Sequence, residues 1–182
     1  MKKGFTLIEL LVITSIIALM SALVIPNLRF GKEQFAVQNS AHKLAQDLRK
    51  VQEMAMSSLE FNGVIPQGGY GIYFEKSANF YILFADCSGN RQYDSNGTQC
   101  NGVSEKISEQ SFLNKRIIIN NLSSPLPKNA LNIVFAPPDP RIYIEPGDGS
   151  IATIFITDPS IQVSEKMITV NKAGLISIED SE

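Results

Sequence analysis

The sequence is poor in the side chains on which most enzymes depend. It has one histidine, His42, and two cysteines, Cys87 and Cys100, and no serine lies in a nucleophile motif. The glycine-rich segment 68–71 lacks the flanking strand and helix of a phosphate-binding loop. His42 falls on the polar face of a predicted helix, without a nucleophile that it could activate. These absences predict a protein that is not an enzyme and has no cofactor.

The chain also lacks a large excess of charge of either sign. It carries 16 Lys and Arg against 18 Asp and Glu. A generally basic, nucleic-acid-binding surface is therefore not expected, although a local basic patch is compatible with this composition. No repeat or low-complexity tract interrupts the chain. Its 182 residues suit one ordinary domain plus an anchoring segment.

A long apolar run stands at the start of the chain, from Phe5 to Ile25, after two lysines and Gly4. As a helix that rises about 1.5 Å per residue, the run would be roughly 31 Å long, which matches the hydrocarbon core of a bilayer. It contains one acid, Glu9, whose charge costs on the order of 2.5 to 3.5 kcal/mol near the centre of a membrane. Either a partner compensates this charge or the side chain reaches the interface. A cut after Gly4 would place a new amine at a similar depth.

Residues 2–10, with the sequence KKGFTLIEL, resemble the class III signal of type IV prepilins and type II secretion pseudopilins. The resemblance implies that prepilin peptidase cuts after Gly4 and methylates the new N-terminal Phe5. It also implies that Glu9 pairs with the N-terminus of a neighbouring subunit during assembly. Pro26 lies where the family usually has a helix-loosening proline. Ala18 departs from the pattern, because many major pilins have a glycine there.

An ordinary secretory signal is the alternative for this segment. Such a signal has an apolar region of about 7 to 15 residues that ends in a small-residue cleavage site, which residues 21–23 provide poorly.

Lys2 and Lys3 place the leader in the cytoplasm and the remainder outside, by the positive-inside tendency. The resemblance therefore implies a single-pass protein of the inner membrane, with an extracytoplasmic C-terminal part, that later enters a pilus or pseudopilus.

A second helical pattern follows Pro26. Apolar residues recur every three or four positions from Val37 to Leu59, and polar residues occupy the opposite face. This pattern predicts an amphipathic helix from about Gln34 to Leu59. Because a proline can bend a helix without ending it, the two halves are predicted to form one long helix.

Residues 61–182 contain short runs rich in Ile, Val, Tyr and Phe, separated by Gly, Pro, Asn and Asp, which predict antiparallel strands. The predicted strands are 70–74, 80–85, 116–120, 132–135, 141–144, 151–157, 167–170 and 175–178. Residues 171–174, NKAG, predict a tight final hairpin. A helix on one face of a predominantly antiparallel sheet is an α+β architecture. The expected domains are a leader 1–4, a transmembrane or filament-core helix 5–26, an amphipathic helix 27–60 and a β-rich globular domain 61–182.

Two segments carry a finer resemblance. Residues 44–55, LAQDLRKVQEMA, are similar to the helix of the GspH and FimT group of minor pseudopilins and minor pilins. Residues 133–135 and 168–178 resemble the terminal strands of that group, although PPDP at 137–140 replaces the glycine that usually follows the first of them. The resemblance implies a pilin-like fold and a minor structural subunit of a type IV pilus or a type II secretion pseudopilus.

The two cysteines are expected to meet an oxidising compartment. A disulfide between Cys87 and Cys100 is then the default, and its loop closure is worth about 3 kcal/mol. Free thiols and a metal site are the alternatives, and the metal site would need ligands beyond the two cysteines.

The loop 86–97 gathers oxygen ligands at alternate positions, in a spacing typical of calcium loops. The weak calcium candidates are Asp86, Ser88, Asn90 and Asp94. Gly97 stands where such a loop has its glutamate, and Asn, Asp, Gly and Ser also build ordinary long turns. A solvated, disulfide-closed hairpin is the favoured prediction.

The expected partners are other pilin or pseudopilin subunits, prepilin peptidase, the inner-membrane assembly machinery and, before assembly, membrane lipid. The alternative function is that of a tip-located minor pilin that binds DNA or a surface. DNA binding is disfavoured, because the terminal hairpin offers Lys172 but no arginine and the acidic residues 179–182 follow it.

Overall fold

The computed structural model describes residues 4–112, 114–124, 127–137, 141–147, 149–160 and 165–180, without the side chains of 24–31. Lys2, Lys3, the side chain of Pro26 and most of the 137–140 turn therefore lie outside the described residues. Within them the chain is α+β, with one helix and ten strands arranged in two antiparallel sheets. It divides into two compact units, Met1–Phe35 and Ala36–Glu182, and each is described by itself.

The helix α1 spans Leu7–Met56. At its end the Leu59 N–H donates to the Met54 carbonyl at 3.2 Å, and the Ser58 N–H donates to the Ala55 carbonyl at 3.0 Å. Ser58 has a φ of +47°, so a serine occupies the left-handed position that glycine usually takes after a helix. The helix therefore stops short of the predicted end at Leu59, because a terminator without glycine is hard to recognise in a sequence.

In the first unit, all described side chains of residues 4–23 are exposed. The predicted span 5–25 ends among the side chains that lie outside the description.

Among the residues that the structure describes, no helix has an apolar stretch long enough to cross a membrane.

In the second unit, the predicted apolar face of α1 is buried up to the helix end. Its buried members are Val37, Ala41, Leu44, Leu48, Val51 and Ala55. Leu59, predicted to continue this face, is exposed beyond the helix. On the predicted polar face His42, Gln46, Lys50 and Glu53 are exposed, whereas Lys43 and Asp47 are half-buried. Lys43 Nζ donates to the Ser111 carbonyl at 3.3 Å, so part of the polar face also contacts the strands.

The first sheet has the order β3-β2-β1-β6-β7, and all its neighbours are antiparallel. Its strands are β1 Gly69–Glu75, β2 Phe80–Asp86, β3 Lys106–Ser111, β6 Ala130–Ala136 and β7 Arg141–Glu145. The second sheet has the order β10-β9-β8-β4-β5. Its strands are β4 Ile118–Ser123, β5 Pro127–Lys128, β8 Ile151–Thr157, β9 Lys166–Asn171 and β10 Ile176–Asp180.

The expectation of a single sheet is wrong, because the strands divide into two. The prediction also missed β3 and β5. The β3 sequence KISEQS contains one β-branched apolar residue, and none of its residues is buried. Strand β5 has only two residues. Neither strand carries the alternation that marks a half-buried strand, so each depends on pairing with a neighbour.

One apolar core is shared by α1 from Val37 onward and the inner faces of both sheets. The predicted final hairpin is confirmed between β9 and β10. Its turn is held by Asn171 Oδ1, which accepts from the N–H groups of Ala173 and Leu175, both at 3.0 Å. Gly174 supplies the left-handed residue of this turn, with a φ of +87°.

Candidate functional site

The N-terminal segment begins its helix with a capping box. The Glu9 N–H donates to Thr6 Oγ1 at 3.3 Å, and Glu9 Oε2 accepts from the Thr6 N–H at 3.4 Å. Thr6 Oγ1 lies at the same 3.4 Å from Glu9 Oε2. This reciprocal arrangement satisfies orphan donors of the first helical turn, and the acid also suits the positive end of the helix dipole. Glu9 thus has a role within its own helix, and its long contacts leave the carboxylate accessible.

The helix that follows is apolar and exposed. Phe5 is 78% exposed and Leu7 84%, and the large apolar residues between Ile8 and Leu23 are exposed as well. Burying one such side chain is worth roughly 1.5 to 3 kcal/mol. An apolar surface of this extent favours a state in which lipid or other protein covers it.

The second candidate region is the disulfide loop, residues 87–105, which joins β2 to β3. It contains the predicted disulfide, with 5.4 Å between the Cα atoms of Cys87 and Cys100. Cys100 is buried. The Ala85 N–H donates to the Glu105 carbonyl at 2.8 Å, so backbone pairing and the disulfide together close the loop near the end of β2.

The predicted calcium ligands form hydrogen bonds with the backbone of this loop and with one another. Asp86 Oδ1 accepts from the Gly89 N–H at 2.7 Å and from Ser88 Oγ at 3.1 Å, while Asp86 Oδ2 accepts from the Arg91 N–H at 2.9 Å. Asn90 Nδ2 donates to Asp94 Oδ2 at 2.8 Å. These contacts are those of an Asx-capped turn. In the described part of the chain, no three residues among His, Cys, Asp and Glu are grouped to hold a metal ion.

Glu105 is a buried acid that the sequence reasoning missed. Its Oε1 accepts from the Ser88 N–H at 3.0 Å, and its Oε2 accepts from the Asp94 N–H at 3.1 Å. Burial raises the pKa of Glu105 above its ordinary value, the backbone N–H groups oppose that shift, and the charge of Asp86 adds to it. Asp86 and Glu105 together fix the backbone of the loop from both of its ends. A lone acid just before a polar strand gave no sequence signal of this role.

The disulfide loop packs on the outer face of the first sheet through Tyr93. The Tyr93 ring lies 5.5 Å from the Tyr73 ring and 5.7 Å from the Phe84 ring, centroid to centroid. Its N–H donates to Asn132 Oδ1 at 3.1 Å. Gly71 faces Phe84 across β1 and β2, and a Cβ at this glycine would lie 2.6 Å from the Phe84 ring. The small residue therefore leaves room for the aromatic cluster that seats the loop.

Arg91 connects the disulfide loop to β7 through a contact with Tyr143. Its guanidinium lies 3.7 Å from the centroid of the Tyr143 ring, a cation–π contact that orients the charge. Arg141 and Tyr143 line the same hollow as Arg91. The sequence did not indicate that these three residues belong to one site, because only the fold brings the loop and β7 together.

The structure thus leaves the predicted residues in two separate settings. Thr6 and Glu9 share the helix start, and Gly4 and Phe5 precede it in exposed positions. Cys87 and Cys100 close the disulfide loop. His42 is exposed on α1 and belongs to neither group.

Among known protein families, the prokaryotic N-terminal methylation motif matches residues 1–25. The match supports a type IV pilin-like prepilin. The motif implies processing by prepilin peptidase and assembly with other pilins, and it suggests anchoring in a membrane before assembly. Proteins with this motif are structural rather than catalytic. Neither curated proteins nor solved structures gave a match to this chain.

Proposed function

We propose that this chain is a minor structural subunit of a type IV pilus or of a type II secretion pseudopilus. The observation that carries the proposal is the exposed apolar helix of residues 7–23, which lies within the N-terminal methylation motif of residues 1–25. In this proposal the peptidase cuts after Gly4 and methylates Phe5. The apolar helix then passes from inner-membrane lipid into the core of a filament.

Glu9 is proposed to guide that transfer. Its carboxylate already accepts from the Thr6 N–H at the helix start, and cleavage after Gly4 would create a positive amine one residue before Thr6. In a filament the carboxylate of one subunit would pair with the amine of its neighbour in a low dielectric. Lateral apolar contacts would supply most of the cohesion, and the charge pair would set the register.

Two further features support placing the chain in the GspH and FimT group. Helix residues 44–55 cover the antiparallel strands of the second unit, Ala36–Glu182, which we call the β unit. The last two strands of this unit form a hairpin closed by Gly174. The disulfide supports an extracytoplasmic position of the β unit, since such bonds persist in oxidising compartments.

The second candidate is a tip-located minor subunit that binds a surface or DNA. The observation that favours it is the hollow beside Arg91 and Arg141 on the β unit, because converging arginines attract anionic ligands.

The assembly role is tested by separating the charge of Glu9 from its capping function. Glu9→Gln keeps an oxygen that can accept from the Thr6 N–H but removes the charge, whereas Thr6→Ala removes the cap and keeps the charge. Each variant is produced together with the assembly machinery, and its amount is measured in membranes and in sheared filaments.

We expect Glu9→Gln to reach the membrane and be processed, yet to be lost from filaments, and Thr6→Ala to be incorporated. Normal incorporation of Glu9→Gln would contradict the charge pairing. Loss of Thr6→Ala together with normal Glu9→Gln would show that the capping box, not the charge, is what assembly requires.

A further inference from the structure

Strand β7 ends the first sheet. It pairs with β6 through the register Asn132–Glu145 to Ala136–Arg141, and among the described strands it has no second neighbour. Ile142 and Ile144 are buried in the core, while Arg141, Tyr143 and Glu145 alternate to the opposite face. One backbone edge of this strand is therefore available for pairing.

A groove follows this edge. It consists of two hollows of about 570 and 590 Å³ that share Arg91, Arg141 and Tyr143. The first hollow lies between the disulfide loop and the start of β7, next to Gly89. The second is lined by all five residues of β7 and by Lys172 of the β9–β10 turn. A groove along the whole strand, and not one compact cavity, suits an extended ligand.

The groove is positively charged. Arg91, Arg141 and Lys172 line it, and among its described lining residues the one acid is Glu145. Glu145 Oε2 accepts from the Gly147 N–H at 3.2 Å. Two guanidinium groups beside an open strand edge attract carboxylates and can bind them with two parallel hydrogen bonds.

We propose that the β7 edge binds an extended, acidic segment of another protein by strand addition. The backbone of the segment pairs with β7, and its alternate acidic side chains contact Arg91 and Arg141. Strand addition obtains its affinity from main-chain hydrogen bonds and its specificity from side-chain contacts at alternate positions. The positive charges of Arg91 and Arg141 also repel a segment with basic side chains, so acidic segments are favoured over basic ones.

A peptide fits this groove better than a single-stranded nucleic acid does. Nucleic-acid channels combine positive charge with free aromatic faces on which bases stack. Here the Arg91 guanidinium already covers one face of Tyr143 at 3.7 Å. The backbone edge of β7, in contrast, presents the alternating hydrogen-bond donors and acceptors that match a peptide strand and do not match a nucleic acid.

This surface belongs to the β unit and does not depend on the N-terminal segment. Loss of the proposed filament role would leave it unaffected, and loss of peptide binding would leave the filament role unaffected. The two proposals can therefore fail separately.

The test uses the full chain in detergent micelles and a fluorescent peptide that alternates threonine and glutamate. A second peptide has proline in place of the threonines, which keeps the acids but removes backbone donors. A third peptide alternates threonine and lysine, and a single-stranded oligothymidylate serves as a nucleic-acid probe. Binding is followed by fluorescence anisotropy, and amide hydrogen exchange reports protection along β7.

The variants are Arg141→Glu alone and Arg91→Glu with Arg141→Glu. The matched control reverses two exposed charges on α1, Arg49→Glu with Lys50→Glu. Circular dichroism checks that each variant is folded, and Arg141→Glu alone keeps the test interpretable if the change at Arg91 disturbs the loop.

We expect saturable binding of the threonine–glutamate peptide, with new exchange protection in β7. Arg141→Glu should weaken that binding by about tenfold and the double variant by more, because a favourable charge contact becomes repulsive. The α1 control should bind as the unchanged protein does.

Four results would overturn the proposal. These are no binding of the threonine–glutamate peptide, equal binding of the proline peptide, unchanged binding by the double variant, and binding of oligothymidylate without binding of the peptide. The last result would assign the groove to nucleic acid.

Discussion

The Tyr81 hydroxyl on β2 donates a hydrogen bond of 2.5 Å to Asp47 Oδ2 on α1. Tyr81 is buried, and its ring lies beside those of Phe74 and Phe112. The bond joins the half-buried polar edge of the helix to the first sheet. Helix and sheet are therefore aligned by a specific polar contact as well as by the apolar core.

Removal of this hydroxyl should destabilise the β unit. Tyr81→Phe keeps the ring but leaves the Asp47 carboxylate without its buried donor, which costs about 1.5 to 3 kcal/mol for a hydrogen bond to a charged group. Urea unfolding of the full chain in detergent would measure the loss. Lys50→Ala, at an exposed position of the same helix, is the control and should change the unfolding free energy little. Equal stability of Tyr81→Phe and the unchanged protein would contradict the role of the bond.

The same tyrosine should make stability fall at high pH. Burial raises the pKa of Tyr81 above its ordinary value of 10.0, and the hydrogen bond and charge of Asp47 add to the shift. Because the folded state holds this proton more tightly than the unfolded state, its contribution is complete below about pH 10 and is lost as the pH rises further. The difference between the unchanged protein and Tyr81→Phe should therefore shrink above about pH 10. A constant difference would contradict the shifted pKa.

Glu105 should affect stability in the mildly acidic range. Its pKa is raised by burial and by Asp86, so the folded state favours the protonated form. Stability from this group is complete below its ordinary pKa of 4.5 and is lost as the pH rises through the folded value. Urea unfolding at several pH values above about 4 should show a steeper decline for the unchanged protein than for Glu105→Gln. The loss of an acceptor oxygen in Glu105→Gln can lower the unfolding free energy by the same amount at every pH. If the unfolding free energies of the two proteins therefore run parallel with pH, the raised pKa of Glu105 is refuted.

The disulfide should stabilise the loop that carries Arg91. Replacing both Cys87 and Cys100 by serine should lower the unfolding free energy by about 3 kcal/mol in the loop-closure model. Reductant should destabilise the unchanged protein by a similar amount and leave the double variant unaffected. If reduction leaves the midpoint of unfolding unchanged, the loop is held by Asp86 and Glu105 without help from the disulfide.

Processing should depend on Gly4. Gly4→Ser should accumulate as an uncut precursor, whereas the unchanged protein should yield an N-terminal peptide that begins at a methylated Phe5, as mass spectrometry can show. Ala22→Leu is the matched control, because it alters the poor small-residue site of residues 21–23 that an ordinary secretory signal would use. A block by Ala22→Leu, with normal cutting of Gly4→Ser, would favour the secretory signal.

Several features could be predicted from the sequence because they depend on neighbours along the chain. The apolar stripe from Val37 to Ala55 follows the helical period, and the Asn171–Gly174 turn follows from its residue types. Both are present in the structure. The helix end was misplaced because Ser58 adopts the left-handed conformation without being glycine.

In the candidate sites too, contacts between residues close in the sequence could be predicted and contacts between distant residues could not. The capping box of Thr6 and Glu9 has a spacing of three residues, so its residue types and spacing are visible in the sequence. Glu105 and Asp94 are farther apart, and Arg91 and Tyr143 are farther still. Such pairs depend on which strands become neighbours, and the division into two sheets was not encoded in any local pattern.

The sequence by itself determined the N-terminal methylation motif, the apolar helix, the face that α1 buries and the pairing of the only two cysteines. These depend on composition and short-range periodicity, which the chain carries wherever it folds. Only the tertiary structure decided that Glu105 would be a buried acid, that Tyr81 would reach Asp47, and that Arg91 would lie over Tyr143 beside an open strand edge. Those contacts arise because strand order and register bring distant residues together, and no local preference specifies that order.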